Sequence, residues 1–279
     1  MSEPIGQYKV LGELGSGASS RIFKVRLESD GKEYALKVIS VSSSEDRKFV
    51  AQAERDYEVS SELKHPSLVR SYAFETNRRM FRTTGAKLLM DYVDGRPLTL
   101  VTKLPMIKLV KIFYEVSDGL VYLHRKGIYH ADIKPDNIMV TSEVKAKVID
   151  FGLAWKSGES KDRVQGTLEF LAPEQAQKKI VNASTDIFNL GATMYRVFTG
   201  KPILSEIRRA DSKEKILQVD TLVRPVRKEN HDVPKELDLL IRKCVKRAAY
   251  NRPVNMKEVR NELRKIGLKL SRANRKSST

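Results

Sequence analysis

Cysteine is nearly absent: the 279 residues hold one, Cys244, which has no partner within the chain. A disulfide framework is excluded, and a reducing compartment is expected, hence a cytoplasmic protein. One cysteine and four histidines also leave little for a zinc centre. No apolar run approaches the ~20 residues of a membrane-spanning helix. Met1-Ser2-Glu3-Pro4 carries no basic-then-apolar targeting pattern. Acids are in deficit, 35 against 52 Lys plus Arg, for a formal net charge of +17. A basic, solvated surface is the plain meaning of that excess, because charge alone argues solubility and non-specific attraction. The bases are spread along the chain except at its C-terminal end, where Arg264, Lys265, Lys269, Arg272, Arg275 and Lys276 meet no acid. That block admits nucleic acid or an anionic surface as a partner, and it admits equally a solvated tail.

What is present points to a folded chain. At ~150 residues per domain the length gives two units or one bilobal one. The 41% apolar content suffices for a core. The first third reads as strands: Tyr8 to Leu11, interrupted by Gly12 to Gly17, then Arg21 to Leu27 and Glu33 to Ile39. Ser42-Ser43-Ser44-Glu45 caps a helix running to about Lys64, and His65-Pro66 stops it. Two more strands follow, around Leu68 to Phe74 and Ala86 to Tyr92, joined by a polar, basic loop. Beyond Val93-Asp94-Gly95 the pattern is mostly helical: Val110 to Leu123, Thr185 to Thr199, Pro234 to Arg247 and Asn255 to Ile266. Strands followed by helices predict segregated α+β portions rather than an alternating parallel sheet.

Three stretches carry chemistry. Gly15-Ser16-Gly17-Ala18-Ser19-Ser20 lies between two strands, where glycines let backbone N–H groups approach phosphates. No helix follows it and no Gly-Lys-Ser/Thr is present, so dinucleotide and Walker-type sites are poor readings. His130-Ala131-Asp132-Ile133-Lys134-Pro135-Asp136-Asn137 packs an acid, a lysine and an amide around a proline. Asp150-Phe151-Gly152 places an acid directly after a strand, and Asn137 and Asp150 offer the hard oxygens that Mg²⁺ prefers.

With Lys37 in Tyr34-Ala35-Leu36-Lys37 and with Ala172-Pro173-Glu174, these motifs stand in the order of the eukaryotic-like protein kinases, which the chain resembles from about Tyr8 to Ile266. Thr167 to Ala176, TLEFLAPEQA, is similar to the bacterial serine/threonine branch. The resemblance implies an α+β, bilobal kinase fold: a small five-stranded antiparallel N-lobe with one main helix (1–93), a larger, mostly helical C-lobe (94–266) and a basic tail (267–279). It implies ATP and two Mg²⁺ as cofactors and a protein hydroxyl as substrate. Gly15, Ser16 and Gly17 would cover the phosphates, and Lys37 would hold two of them. Ile22, Ala35 and Met139 would sandwich adenine, with Met90 as gatekeeper and the backbone of Asp91 and Val93 on the adenine edge. Asp132 would take the hydroxyl proton, Lys134 would neutralise the γ-phosphoryl group, Thr167 would bond near both, and Asn137 and Asp150 would hold the metal. Glu174 would pair with Arg252, and Asp186 would brace the catalytic loop.

Four positions depart from the family pattern. Asp56 stands where a glutamate pairs with the strand lysine, since the count back from Pro66 and the register of Val59 and Leu63 both select it over Glu54 and Glu58. Ala131 replaces the arginine that reads an activation-segment phosphate, so control through Ser157, Ser160 or Thr167 is not expected; Lys156, Lys161 and Arg163 lie within that segment. Ser60 and Ser71 replace apolar spine residues, and a loose or water-filled stack is expected there. Pro97 and Arg196 stand where acids often select basic substrates. The leading reading is an active serine/threonine kinase. The alternatives are a pseudokinase scaffold and a kinase docked on nucleic acid through its basic tail.

Overall fold

The computed structural model describes residues 5–17, 19–159, 165–177, 180–203 and 223–276. Ala18, Ser160, Lys161 and Arg163, all named above, lie outside the described residues. Two compact units divide the chain: Met1–Asp94 with Ile149–Ala154, and Gly95–Val148 with Trp155–Thr279.

The first unit is a five-stranded antiparallel sheet in the order β1-β2-β3-β5-β4. Its strands are β1 Tyr8–Ser16, β2 Ser20–Leu27, β3 Glu33–Ser40, β4 Ser71–Arg79 and β5 Arg82–Asp91. Side chains alternate between faces along each strand. Ile39 and Leu88 therefore pack with Val50 and Ala53 of helix α1, Arg47–Ser60, while Leu36, Val25, Leu89 and Tyr8 fill a second cluster. The interruption expected from Gly12 is absent, because β1 absorbs its glycines through register shifts at Val10/Gly12 and Glu13/Gly15. The loop expected after Phe74 is also absent. β4 and β5 run on as a ladder to the pair Arg79↔Arg82, closed by Met80-Phe81. That outer stretch has no apolar alternation, so its backbone pairing left no trace in the residue pattern. Helix α1 is shorter than its capping residues suggested, because Ser44–Asp46 forms a 3₁₀ turn ahead of it.

The second unit is mostly helical. Helix α2, Met106–Arg125, buries Val110, Phe113, Val116, Leu120 and Leu123 at helical spacing. Short strands surround the chemistry-bearing stretch: β6 Gly95–Pro97, β8 Ile138–Thr141 and β9 Ala146–Val148 form one sheet, and β7 Ile128–Tyr129 pairs with β10 Trp155–Lys156. Helices α3 Pro173–Gln177, α4 Ala183–Thr199, α5 Val226–Glu229, α6 Lys235–Cys244 and α7 Met256–Lys276 complete the described residues. Asn182 caps α4 by accepting the N–H groups of Ser184 (2.9 Å) and Thr185 (3.3 Å), and Gly200 ends it at φ 71°. Helix α7 does not stop at Ile266. Its buried stripe of Met256, Val259, Leu263 and Ile266 ends there, and the helix continues with mostly polar residues around a half-exposed Leu268 and a half-buried Leu270.

Candidate active site

In the first unit, antiparallel register sets Gly15, Ile22, Lys37 and Leu88 in one row across β1, β2, β3 and β5. The next row holds Lys24, Ala35, Met90 and Ser71. Residues directly opposite one another share a face, so the predicted phosphate lysine, adenine contacts and gatekeeper lie on the face that α1 covers. The Asp91 N–H donates to the Arg70 carbonyl (2.9 Å), so what its backbone has left to offer is the carbonyl. Val93, two residues beyond the end of β5, is half-buried.

Helix α1 buries Asp56 and leaves Glu54 and Glu58 exposed. Ser60, one turn later, lies 2.6 Å from the Asp56 carbonyl and 3.1 Å from its Oδ1, and 2.7 Å from Ser71 Oγ. A hydroxyl has one proton. Ser71 therefore donates to Ser60, and Ser60 donates to Asp56. The expected loose spot is thus a closed polar chain, with Ser60 0% and Ser71 1% exposed. Burial, then the Asp150 carboxylate, hold the Asp56 carboxyl above the usual range, against the pull of Lys37, Ser60 and the Phe151 N–H. No ion pair joins Asp56 to Lys37. Aspartate is one methylene shorter than glutamate, and its carboxylate is drawn to Ser60 and Phe151.

Asp150 sits at φ 64° with its carboxylate exposed and Oδ1 accepting the Gly152 N–H (3.2 Å). Gly152 is required by packing, since a Cβ there would lie 2.9 Å from the Gln52 carbonyl of α1. Arg55 of α1 donates to the Ala154 carbonyl (3.0 Å), fixing the far end of the segment.

In the second unit, Asp132 is 6% exposed and fully engaged. Its Oδ1 accepts the Thr167 N–H (2.9 Å) and hydroxyl (3.0 Å). Its Oδ2 meets Lys134 Nζ (3.0 Å) and Asn137 Nδ2 (3.2 Å). Lys134 also donates to Thr167 Oγ1 (2.8 Å). The structure thus brings Asp132, Lys134, Asn137 and Thr167 together. Met139 is on β8, opposite Pro97 and Lys147.

The loop under Asp132 is held from α4. Asp186 accepts the N–H groups of His130 (3.0 Å) and Ala131 (2.8 Å) and contacts His124 Nε2 (2.7 Å). Burial raises the Asp186 pKa, but the bond to His124, the charges of both histidines and the Ala131 N–H outweigh it and hold it below the ordinary value. Thr193, seven residues on and hence on the same helix face, shares its hydroxyl proton between the Asn189 carbonyl of its own helix (2.8 Å) and the Ile133 carbonyl (3.0 Å). Ala131 takes the left-handed φ of 64°. Its carbonyl accepts from Gln175 Nε2 (2.7 Å), which also donates to the Gln165 carbonyl (2.9 Å), while Gln175 Oε1 accepts the Ala172 N–H (3.3 Å). A neutral, fully buried amide therefore ties the catalytic loop to the segment before Thr167. Gly166 leaves room for it: a Cβ there would lie 2.8 Å from Leu171 and 3.1 Å from Gln175. Arg252 clasps Glu174 through two bonds, 2.7 and 2.9 Å. Sequence reasoning missed Gln175 and Thr193. The spacing from Asp186 signals Thr193; nothing local signals Gln175.

The oxygen donors suit a hard divalent cation. Asn137 Nδ2 is committed to the Asp132 carbonyl (2.9 Å) and carboxylate, which leaves the amide oxygen for a ligand. Among the described residues no cluster of three or more His, Cys, Asp or Glu forms a metal cage. Mg²⁺ needs none, since it binds through one or two protein oxygens, water and phosphates.

A family model for the protein kinase domain matches residues 8–263. The chain is similar to a probable serine/threonine-protein kinase of Clostridium acetobutylicum, 30% identical over 268 residues (93% of this chain, 40% of that protein). It is similar to serine/threonine-protein kinase PknB of Mycobacterium leprae, 27% identical over 272 residues (93% and 43%). It is similar to Aurora kinase C of Mus musculus, 28% identical over 221 residues (77% and 78%). The chain spans about two-fifths of the length of the two bacterial relatives.

Proposed function

The chain belongs to the protein kinase family, and from that premise we propose that it is an ATP-dependent serine/threonine protein kinase. The observation that carries this reading is the Asp132 cluster, in which a buried carboxylate, an ammonium, a hydroxyl and an amide converge. Asp132 takes the proton of the acceptor hydroxyl as that oxygen bonds to the γ-phosphorus and the bond to the ADP oxygen breaks. A carboxylate has about four acceptor positions, and those of Asp132 are filled. Lys134 is the partner free to leave, a long side chain 22% exposed. It turns to the γ-phosphoryl oxygens and opens Oδ2 to the substrate hydroxyl. Thr167 keeps Oδ1 aimed. Lys37 holds the α- and β-phosphates, Gly15, Ser16 and Gly17 cover them, and Ile22, Ala35, Met90 and Met139 contact adenine, with the Asp91 carbonyl and Val93 at its edge. Asn137 and Asp150 are the residues that hold magnesium. Bound magnesium supplies positive charge for the phosphate oxygens.

Regulation follows from Ala131 and Gln175. Where an arginine reads a phosphate, the unphosphorylated segment faces an uncompensated cation. Here the same span is held by the Gln175 amide, so activity does not depend on a phosphate in the segment.

The test is incubation with labelled ATP and Mg²⁺, with and without a generic acceptor protein, followed by phosphosite mapping. Phosphoserine or phosphothreonine that Asp132→Asn abolishes is the expected outcome. No transfer by the parent chain, or near-normal turnover by the variant, overturns the proposal.

A further inference from the structure

We propose that the β4–β5 hairpin is a docking element for anionic lipid bilayers. The sheet ends before the hairpin does. Pairing of β3 with β5 stops at Ser40↔Gly85, with a last bond from the Val41 N–H to the Thr84 carbonyl (2.9 Å). The β4–β5 ladder continues to Arg79↔Arg82 as a two-stranded ribbon. Such a ribbon is marginal in water without a packed face. Its turn is built against local preference. Only the first of its two central residues has positive φ, and two-residue turns of that kind favour glycine there, because positive φ is strained for side chains with a Cβ. Here Met80 holds φ 54°, and Met80 and Phe81 are 89% and 100% exposed. Strain combined with two bare apolar side chains gives the fold nothing, which points to a use outside it.

Charge names the partner. Arg78, Arg79 and Arg82 flank the apex, are exposed, and enter no ion pair among the described residues. The hairpin's single acid beyond Phe74 is Glu75, which stands opposite Lys87. The C-terminal block expected to attract anions is partly neutralised instead, with Lys265 on Glu262 (2.6 Å) and Lys269 on Glu236 (2.7 Å). An apolar apex behind which cations stand matches a bilayer surface: the apex enters the acyl boundary and the guanidinium groups meet lipid phosphates. Single-stranded nucleic acid calls for a groove with several stacking rings, and the apex has one ring.

The experiment is vesicle co-sedimentation of the full chain at moderate salt, with phosphatidylcholine alone and with added phosphatidylserine. Binding at least tenfold stronger with phosphatidylserine is expected. The variant carrying Met80→Gly and Phe81→Asn relieves the turn, so its thermal midpoint is equal or higher, while its vesicle binding falls at least tenfold. Arg79→Ala and Arg82→Ala each lower binding about fivefold, the equivalent of ~1 kcal/mol per cation near an anionic surface. Phosphotransfer to a soluble peptide is unchanged in all of them. Vesicle binding absent in the parent, or intact in the turn variant, overturns the proposal. So does binding lost on Arg272→Ala with Arg275→Ala but not on the hairpin changes, or retention on poly(U) RNA that the turn variant abolishes while vesicles are ignored.

Discussion

In the second unit one carboxylate gathers four donors, whereas in the first the charged groups are spread over β3, α1 and the segment after β9. Asp132 has its acceptor positions filled by Thr167, Lys134 and Asn137, and its loop is tied down by Asp186, Thr193 and Gln175. Lys37 makes no ion pair among the described residues, Asp150 is exposed at a strained φ, and Asp56 carries a raised pKa. One cluster is positioned by the chain alone, and only its Lys134 arm has to move. The other is spread over a strand, a helix and a loop, and its charges act on one another without gathering on one group.

The largest effect expected from breaking this contrast is at Asp150. With Asp150 holding the metal as proposed, Asp150→Asn trades a carboxylate for a neutral amide, so turnover falls by about a thousandfold or more and the Mg²⁺-dependent part of ATP affinity is lost. Asp132→Asn is equally damaging to turnover but leaves ATP affinity unchanged, because its neighbours hold one another. Calorimetric titration with and without Mg²⁺ distinguishes them, and an equal loss of affinity in both would erase the contrast.

Next comes Gln175. Gln175→Ala strips the bonds from the Ala131 and Gln165 carbonyls in a buried place, at ~1–3 kcal/mol for each group left unsatisfied. A fall of about tenfold in kcat and a lower thermal midpoint are expected, while the KM for ATP holds. Phosphatase treatment of the parent chain, verified by mass, leaves initial rates within a factor of about two. A tenfold fall, worth ~1.4 kcal/mol, would show that a phosphate does what the amide is argued to do.

How much of this was legible in the sequence follows from the kind of force involved. The segregated α+β order, the α1 register that buries Asp56 and the Asp132 motif are all written in apolar spacing or in contiguous residues. The hairpin past Phe74 and the helix past Ile266 are not, because main-chain hydrogen bonds extend both without an apolar face. Ser60 and Ser71 were legible as polar exceptions, but the bond between them depends on β4 lying against α1, a tertiary fact. Gln175 was illegible for the same reason: its partners are 10 and 44 residues away in the chain.

Ser60 sharpens the comparison, because its cluster is the less constrained one. Ser60→Ala removes the hydroxyl that bonds Asp56 and strands the Ser71 hydroxyl in a buried place, at ~1–2 kcal/mol of stability. The double change with Ser71→Ala also removes the stranded hydroxyl, so stability recovers the part due to Ser71 and keeps the loss at Asp56. Turnover stays about threefold to tenfold down in both, since Asp56 has lost its hydroxyl bond in both. Thermal melts read the first quantity and initial rates the second. Rates that recover along with stability would make Ser60 a packing residue and nothing more.

The smallest effect expected lies at the edge of the first cluster, at Asp46. Its carboxylate accepts from Ser19 Oγ (2.5 Å), which follows the glycine loop, and from the N–H groups of Ser43 (2.7 Å) and Ser42 (3.0 Å) ahead of α1. The Ser19 hydroxyl first, then those N–H groups, hold its pKa down to about 2. A carboxylate whose folded pKa lies below its unfolded value of about 3.9 contributes fully above that value. The contribution is lost as pH falls through the folded pKa. The thermal midpoint of Asp46→Asn should therefore sit slightly below that of the parent from neutral pH down to about pH 4. The gap should close as pH drops from there toward about 2, where the parent's carboxyl is protonated and matches the amide in charge. Because the group is half-buried at the surface and screened by water, the gap amounts to a few degrees at most. A gap that persists unchanged at the acid end would mean that the loop is held by the shape of the side chain and not by its charge.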